Sequence, residues 1–247
     1  MNKANAIPPV LYESSACIVL NKQCGEAMEG ASASAVDLGQ LLAETYGTSR
    51  TRDDKPFPPT AVHRLDVPVT GCALFARTPQ ALAFLNDCFA QALARKIYWT
   101  IVEKPEGLSA SLDPQGELVH WIAVDSRHNK SYAHQEEAPD RKKAVLRYRI
   151  VGEGEHYLFI EIELITGRHH QIRAQLAAIG LHIKGDLKYG SHRSEKNGGI
   201  RLHARSLAFP DPLSDESDPV KRPYIQVVAP IVAPDRLWLD FEEASLG

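Results

Sequence analysis

The residue of this chain best placed to do chemistry is a carboxylate set among charged and apolar neighbours. Asp66 follows His63, Arg64 and Leu65 and precedes Val67, Pro68, Val69, Thr70 and Gly71. Pro68 and Gly71 restrict and free the backbone in turn, which predicts a shaped loop around the carboxylate rather than a helix. A carboxylate in such a loop can serve as a nucleophile or as a general base. His63 lies three residues away, so an acid–base pair of a cytosolic hydrolase is one reading, and a turn residue paired with Arg64 is the plain one. A second group comprises Arg168, His169, His170 and Arg173. Helical metal ligands want spacings of three or four, and adjacent histidines on a helix diverge, so no metal site is expected here. Three cationic side chains at a helix start suit an anion instead.

These groups need elements to position them. After the Asp66 loop, Ala73 to Ala76 reads as a buried strand. Thr78 to Lys96 is predicted as a helix, with Thr78 as cap, Pro79 in the first turn and Leu82, Leu85, Phe89 and Leu93 facing the core. Lys96 to Val102 then reads as a strand with Lys96, Tyr98 and Thr100 on one face. Ala144 to Ile150 and Tyr157 to Ile165 alternate, so Arg147 and Arg149 share one outward face and Glu161 and Glu163 another. Thr166 to Gly180 is predicted as a helix beginning near Gly167 or Arg168, which puts His169 and Arg173 on one face. Ser34 to Tyr46 is predicted as a covering helix capped by Ser34 or Asp37 and stopped by Gly47. Residues 104–143 are weakly patterned: a short hairpin around Pro114 to Gly116 and a mobile charged loop from Asp125 to Lys143 are expected. Leu181 to Gly190 reads as strand and turn, Arg201 to Pro212 as a strand, and Tyr224 to Val228 and Leu237 to Phe241 as the last strands. Consecutive alternating strands with short turns imply an antiparallel or mixed sheet.

Composition narrows the class. The 247 residues are 44% hydrophobic, enough for a sizeable core. No apolar run is long enough to span a bilayer, and the N-terminal stretch lacks the apolar region of an export signal, which predicts a cytoplasmic protein. Cys17, Cys24, Cys72 and Cys88 form no CxxC pair, as expected of reduced thiols. A net charge of -3 hides an uneven distribution. From Glu161 to Phe209 eight Lys or Arg face four acids, and five of the ten histidines fall there; from Asp211 onward eight acids face three bases. The basic segment could hold a polyanion.

Five ordered blocks complete the pattern: HRLD at 63–66 with Thr70 and Gly71 after it, KIYWTIV at 96–102, TGRHHQIR at 166–173, GDLKYG at 185–190 and LHARSLAF at 202–209. With the opening VLYESSACIVLNKQCG at 10–25, they resemble the RluA-type pseudouridine synthases over nearly the whole chain. The resemblance implies one α+β catalytic domain over residues 1–247, built on a curved, mostly antiparallel mixed sheet, with 211–247 as its C-terminal strands and no N-terminal RNA-binding accessory domain. It implies cofactor-free isomerisation of uridine to pseudouridine in ribosomal or transfer RNA; a monomer without metal is expected. Asp66 matches the family's catalytic aspartate. Arg173 matches the arginine that pairs with it and keeps it ionised, and Tyr98 the tyrosine that packs on the target uracil. Arg64 corresponds to a residue that fills the gap left by the flipped base. With His63 and His169, the residues Arg147, Arg149, Arg168, Lys184, Lys188, Arg201 and Arg205 are candidate RNA contacts. This chain departs from the family pattern at Gln23, Val69, His169, Ala174, Gln175 and Asp211. A noncatalytic RNA-binding or RNA-chaperone protein on the same fold is the alternative.

Overall fold

The computed structural model describes residues 6–30, 36–105 and 113–246. They form two compact units, one of Met1–Arg95 with Ala204–Pro230 and the other of Lys96–His203 with Ile231–Gly247.

In the first unit the strands Val10–Glu13, Cys17–Lys22 and Thr70–Ala76 pair in that order, antiparallel throughout. The Leu202–Pro210 strand follows, with Tyr224–Val228 antiparallel on it. Cys17–Lys22 is buried along its entire length, including the terminal lysine. Apolar side chains from Cys17, Val19, Leu74, Leu85, Leu207 and Phe209 close the core. Gly71 is needed where two of these strands meet: its φ is 111°, and a Cβ there would stand 2.3 Å from the Ala204 carbonyl oxygen. The helix Pro79–Ala90 starts as the sequence predicts, with the Thr78 hydroxyl accepting from the Ala81 N–H. It ends well before Lys96, because Ala92 takes a positive φ and Arg95 already begins the next strand. The covering helix is Leu38–Tyr46, capped by Asp37 and ended at Gly47 with φ 74°; Ser34, the other expected cap, lies outside the described residues.

In the second unit five antiparallel strands run in the order Arg95–Glu103, Tyr157–Leu164, Lys142–Glu153, Gln115–Asp125, Lys130–His134. The stretch read as weakly patterned is therefore mostly sheet. Gln115 opens a long strand paired to Arg149, not a hairpin at Pro114 to Gly116, and the charged loop expected from Asp125 to Lys143 holds the turn and second strand of the Gln115–Asp125/Lys130–His134 hairpin. Its tight turn is held by Asp125 Oδ1, which accepts from the Arg127 and His128 N–H groups.

The chain end corrects the expectation of strands through 211–247. Tyr224–Val228 is a strand, but Arg236–Leu246 is a helix. Trp238 and Phe241 are buried three residues apart, a helical rather than an alternating period, and Asp235 Oδ1 accepts from the Trp238 N–H at the helix start. Phe241 stacks on Trp99 with ring centroids 4.7 Å apart. The helix seats closely on Lys142–Glu153 at a bulge, where a Cβ on Gly152 would lie 2.7 Å from that of Ala244.

Candidate active site

Asp66 sits half-buried on a loop that immediately precedes the Thr70–Ala76 strand. Leu65 and Val69 are buried on either side of it. The Val69 N–H closes a turn onto the Asp66 carbonyl at 3.0 Å, and the Gly25 N–H reaches the Val67 carbonyl at 3.0 Å. Lys22 completes the fixing. Its side chain is fully buried, and its ammonium donates to the carbonyls of Gln23 (3.1 Å), Val67 (3.1 Å) and Val69 (2.6 Å). Burial pushes the Lys22 pKa down to about 8, against the opposing pull of Glu26, Cys24 and Asp66. Sequence reasoning missed Lys22, although a lysine that follows the apolar run CIVL by two residues is the kind of buried charge that needs a reason. Gln23, where the family carries proline, uses what proline would lack: its N–H donates to Glu26 Oε2 at 2.6 Å.

His63 faces away from acid–base work. Its Nε2 accepts the Leu74 N–H at 3.2 Å and its ring stacks on Phe89 with centroids 5.4 Å apart, so it braces the strand behind the loop. Arg64, beside it, is exposed.

In the second unit Tyr98 lies on Arg95–Glu103, opposite Ile162, and is 5% exposed. Lys96, two residues earlier on the same face, is also buried, and desolvation pushes its pKa down to about 8. Arg173 is on the helix Gln171–Ala178 and is itself buried. Its Nε and Nη2 form a fork on Asp186, at 2.7 Å to Oδ2 and 2.8 Å to Oδ1. The guanidinium also lies 4.9 Å from the centroid of the Tyr189 ring. Asp186 and Tyr189 belong to the GDLKYG block, whose turn the Asp186 carbonyl holds by accepting from the Tyr189 and Ser191 N–H groups. The sequence pattern contained both residues without revealing that they carry the arginine.

The helix starts three or four residues later than expected, at Gln171, because His170 takes the left-handed conformation with φ 51°. Arg168 and His169 are thus in the preceding turn, and His169 does not share a helical face with Arg173. The Gln171 Oε1 accepts from the Arg168 N–H and the Thr166 hydroxyl. The two histidine rings, expected to diverge, stack 3.8 Å apart. His169 Nδ1 is 2.8 Å from the Ser131 hydroxyl, and His170 Nδ1 is 3.0 Å from the Tyr189 hydroxyl. Among the described residues no group of three His, Cys, Asp or Glu side chains is placed to hold a metal ion.

The remaining cationic candidates have several local partners. Arg147 reaches Glu117 (3.0 Å) and Glu163 (3.8 Å), and Arg149 reaches Glu161 (3.1 Å). These arginines stay more than half exposed, so such pairs are weak and open to exchange. Lys184 and Arg201 both pair with Glu195, and Arg201 also with Asp235. Arg168 donates to the Lys143 carbonyl, Lys188 to the carbonyls of His128 and Asn129, and Arg205 to that of Ala229.

Comparison with known proteins identifies relatives by sequence and by fold. Residues 16–178 match the family model described as RNA pseudouridylate synthase. The chain is 32% identical over 206 residues to the uncharacterized RNA pseudouridine synthase ZMO0505 of Zymomonas mobilis, covering 80% of this chain and 85% of that one. It is 27% identical to the ribosomal large subunit pseudouridine synthase C of Vibrio parahaemolyticus, covering 84% of this chain but 62% of the relative. The solved structure of human RNA pseudouridylate synthase domain containing 4 shares its fold, with a TM-score of 0.66 at 19% identity over 96% of this chain and 92% of that one.

Proposed function

Since the chain belongs to the RNA pseudouridylate synthase family, we propose that Asp66, Tyr98 and Arg173 carry the isomerisation of uridine to pseudouridine in ribosomal or transfer RNA. The bond from uracil N1 to ribose C1′ breaks, the base turns while bound, and C5 joins C1′; C5 gives up its proton and N1 regains one. Asp66 acts at the ribose, as a nucleophile on C1′ or as a base on a ribose proton. Arg173 brings positive charge to the reacting centre, held by its Asp186 fork. Tyr98 packs on the uracil. Arg64, exposed beside the catalytic loop, takes the place of the flipped nucleotide. Arg147, Arg149 and Arg168 hold phosphates, exchanging weak surface pairs for charge-assisted ones.

The observation that supports this most is the Asp66 loop, in which a fully buried lysine is spent on fixing the carbonyls on the far side of one carboxylate. Lys22 is a positioning residue in this reading. We take residues 1–247 to act as one catalytic domain and a cytoplasmic monomer. The test is incubation of the purified protein with unmodified ribosomal and transfer RNA transcripts, reading pseudouridine by mass spectrometry after chemical labelling. Pseudouridine at a defined position in either class supports the proposal and names the target. Its absence from both, and from total RNA of cells lacking the protein, would favour a noncatalytic RNA-binding role.

A further inference from the structure

Gln175, one of the positions at which the chain departs from the family pattern, has no part in the chemistry proposed above, yet it is completely buried. It lies on the helix Gln171–Ala178, only eight residues long, where Gln171, Ala174, Gln175 and Ala178 share one side at the spacing of successive turns. That side meets the sheet. Gln175 Nε2 donates to the Leu118 carbonyl (3.0 Å) and to His120 Nδ1 (3.1 Å), with the Ala144 carbonyl 3.4 Å away. Gln171 Nε2 donates to the Val145 carbonyl (3.1 Å) and to Gln175 Oε1 (2.9 Å). Alanines and glutamines thus stand where large apolar side chains ordinarily dock a helix. Arg173, two residues from each glutamine, projects from the opposite side of the helix, where it meets Asp186.

The direction of each bond in this run is fixed by a backbone group. The Arg168 N–H can only donate, so the atom that receives it is Gln171 Oε1, at 2.9 Å. Gln171 Nε2 is therefore turned to Gln175, which answers with Oε1. Gln175 Nε2 is then the atom at His120 and at the Leu118 carbonyl, itself only an acceptor. His120 Nδ1 has to accept, so the buried ring is neutral and carries its hydrogen on Nε2, toward the Gln135 amide. Burial works in the same sense, pushing the His120 pKa down. One run of hydrogen bonds, all of one polarity, thus joins the turn before the helix to a histidine on the strand Gln115–Asp125.

We propose that Gln175 and His120 are positioning residues for Arg173: they set the rotation and advance of its helix on the sheet, so that the guanidinium is presented to the reacting uridine in one orientation. This rests on the reading in which Arg173 serves the isomerisation. Contacts made by alanine tolerate sliding, whereas a hydrogen bond weakens steeply once its length or angle is lost. The Asp186 fork holds the guanidinium itself, and the glutamines hold the helix that bears it, so the arginine is fixed from both sides. A displacement of about 1 Å at a reacting centre can cost roughly a hundredfold in rate, which is the scale on which such a support matters.

The experiment uses the full chain as wild type, Gln175→Met, His120→Leu and His120→Asn, at a temperature where circular dichroism shows each folded. In His120→Asn the side-chain oxygen can stand near the place of Nδ1 and keep an acceptor for Gln175. Two quantities are read: kcat and KM for pseudouridine formation on an RNA transcript, and hydrogen exchange at the Arg173 Nε–H by NMR of arginine-labelled protein, the signal being assigned with Arg173→Lys. Gln175→Met and His120→Leu should lose about ten- to a hundredfold in kcat while KM stays within about twofold. Their Arg173 Nε–H should exchange about tenfold faster or more, as a loosened helix frees the fork. His120→Asn should stay within about threefold of wild type in both quantities. Wild-type kcat in Gln175→Met, wild-type exchange in Gln175→Met and His120→Leu, or an equal loss in His120→Asn and His120→Leu would overturn the positioning role even where the wild type isomerises uridine. Were the wild type to isomerise no RNA, the enzymatic reading would fall, and the exchange rates alone would decide whether Gln175 and His120 hold the arginine.

Discussion

Removing Asp186 should expose how much the molecule spends on aiming Arg173. The two side chains are 1% and 6% exposed, and their fork has two short charge-assisted bonds. Taking away one partner of a buried pair leaves the other charge desolvated, at a cost of about 3 to 5 kcal/mol. For a chain of this size each kcal/mol moves the melting midpoint by roughly 2 to 4 °C, so Asp186→Ala should melt about 6 to 20 °C lower. Replacing both partners, as Arg173→Met with Asp186→Leu, removes the stranded charge and should recover most of that loss, since apolar substitutes for a buried pair are often neutral. Activity should not follow: the double variant should fold well and isomerise nothing, because the guanidinium is gone. Thermal melts by circular dichroism beside pseudouridine assays read both quantities. A double variant whose destabilisation is the sum of the singles, or an Asp186→Ala melt within about 2 °C of wild type, would refute the reasoning.

Other outcomes follow from the same geometry. Lys22→Met should lower activity more than stability, costing about 1 to 3 kcal/mol for unmet carbonyls while loosening the Asp66 loop; normal activity would deny Lys22 its positioning role. Gly71→Ala should fail to accumulate as folded protein, because the new methyl would overlap the Ala204 carbonyl and the backbone there is left-handed; a melt like that of wild type would contradict the close approach. Lys22 and Lys96 titrate near 8 when folded but near 10.5 when unfolded, so above pH 8 the folded protein has released protons that the unfolded chain still holds and stability rises. The buried thiols Cys17 and Cys72, pushed up to about 11 and about 12 from 9, work the other way above pH 9. Melting midpoints should therefore climb from pH 8 to 9 and level or fall beyond, and a steady fall from pH 8 would contradict this. Phe241→Ala should cost about 3 to 5 kcal/mol by emptying the space beside Trp99, read as a shifted denaturation midpoint.

Much of this was legible before any coordinates. The alternation in 144–150 and 157–165 predicted strands because each has one buried face, and the Thr78–Pro79 pair predicted a helix start because capping chemistry is local. What failed was decided by tertiary context. Residues 237–241 read as a strand from a short apolar run, but Trp238 and Phe241 answer to the surface of a sheet whose bulge at Gly152 admits a helix. The Lys130–His134 strand was hidden because it is an edge strand with polar residues on its exposed face, so its pairing rather than its composition makes it regular. The start of the Arg173 helix was misplaced because, although histidine is among the residues that enter the left-handed region, spacing alone does not say that His170 does so here. Asp66 and Arg173 could be singled out as candidates from the sequence, whereas Lys22, Asp186 and Tyr189, which hold them, could not, since positioning depends on distances that spacing does not encode.

The most direct test of the account is to compare wild type and Asp66→Asn on the same RNA, measuring binding and pseudouridine formation in each. The account predicts that both bind the RNA and that only the wild type forms pseudouridine. Isomerisation by Asp66→Asn at the wild-type rate would contradict it, because the loop that Lys22 holds would then be presenting the wrong residue.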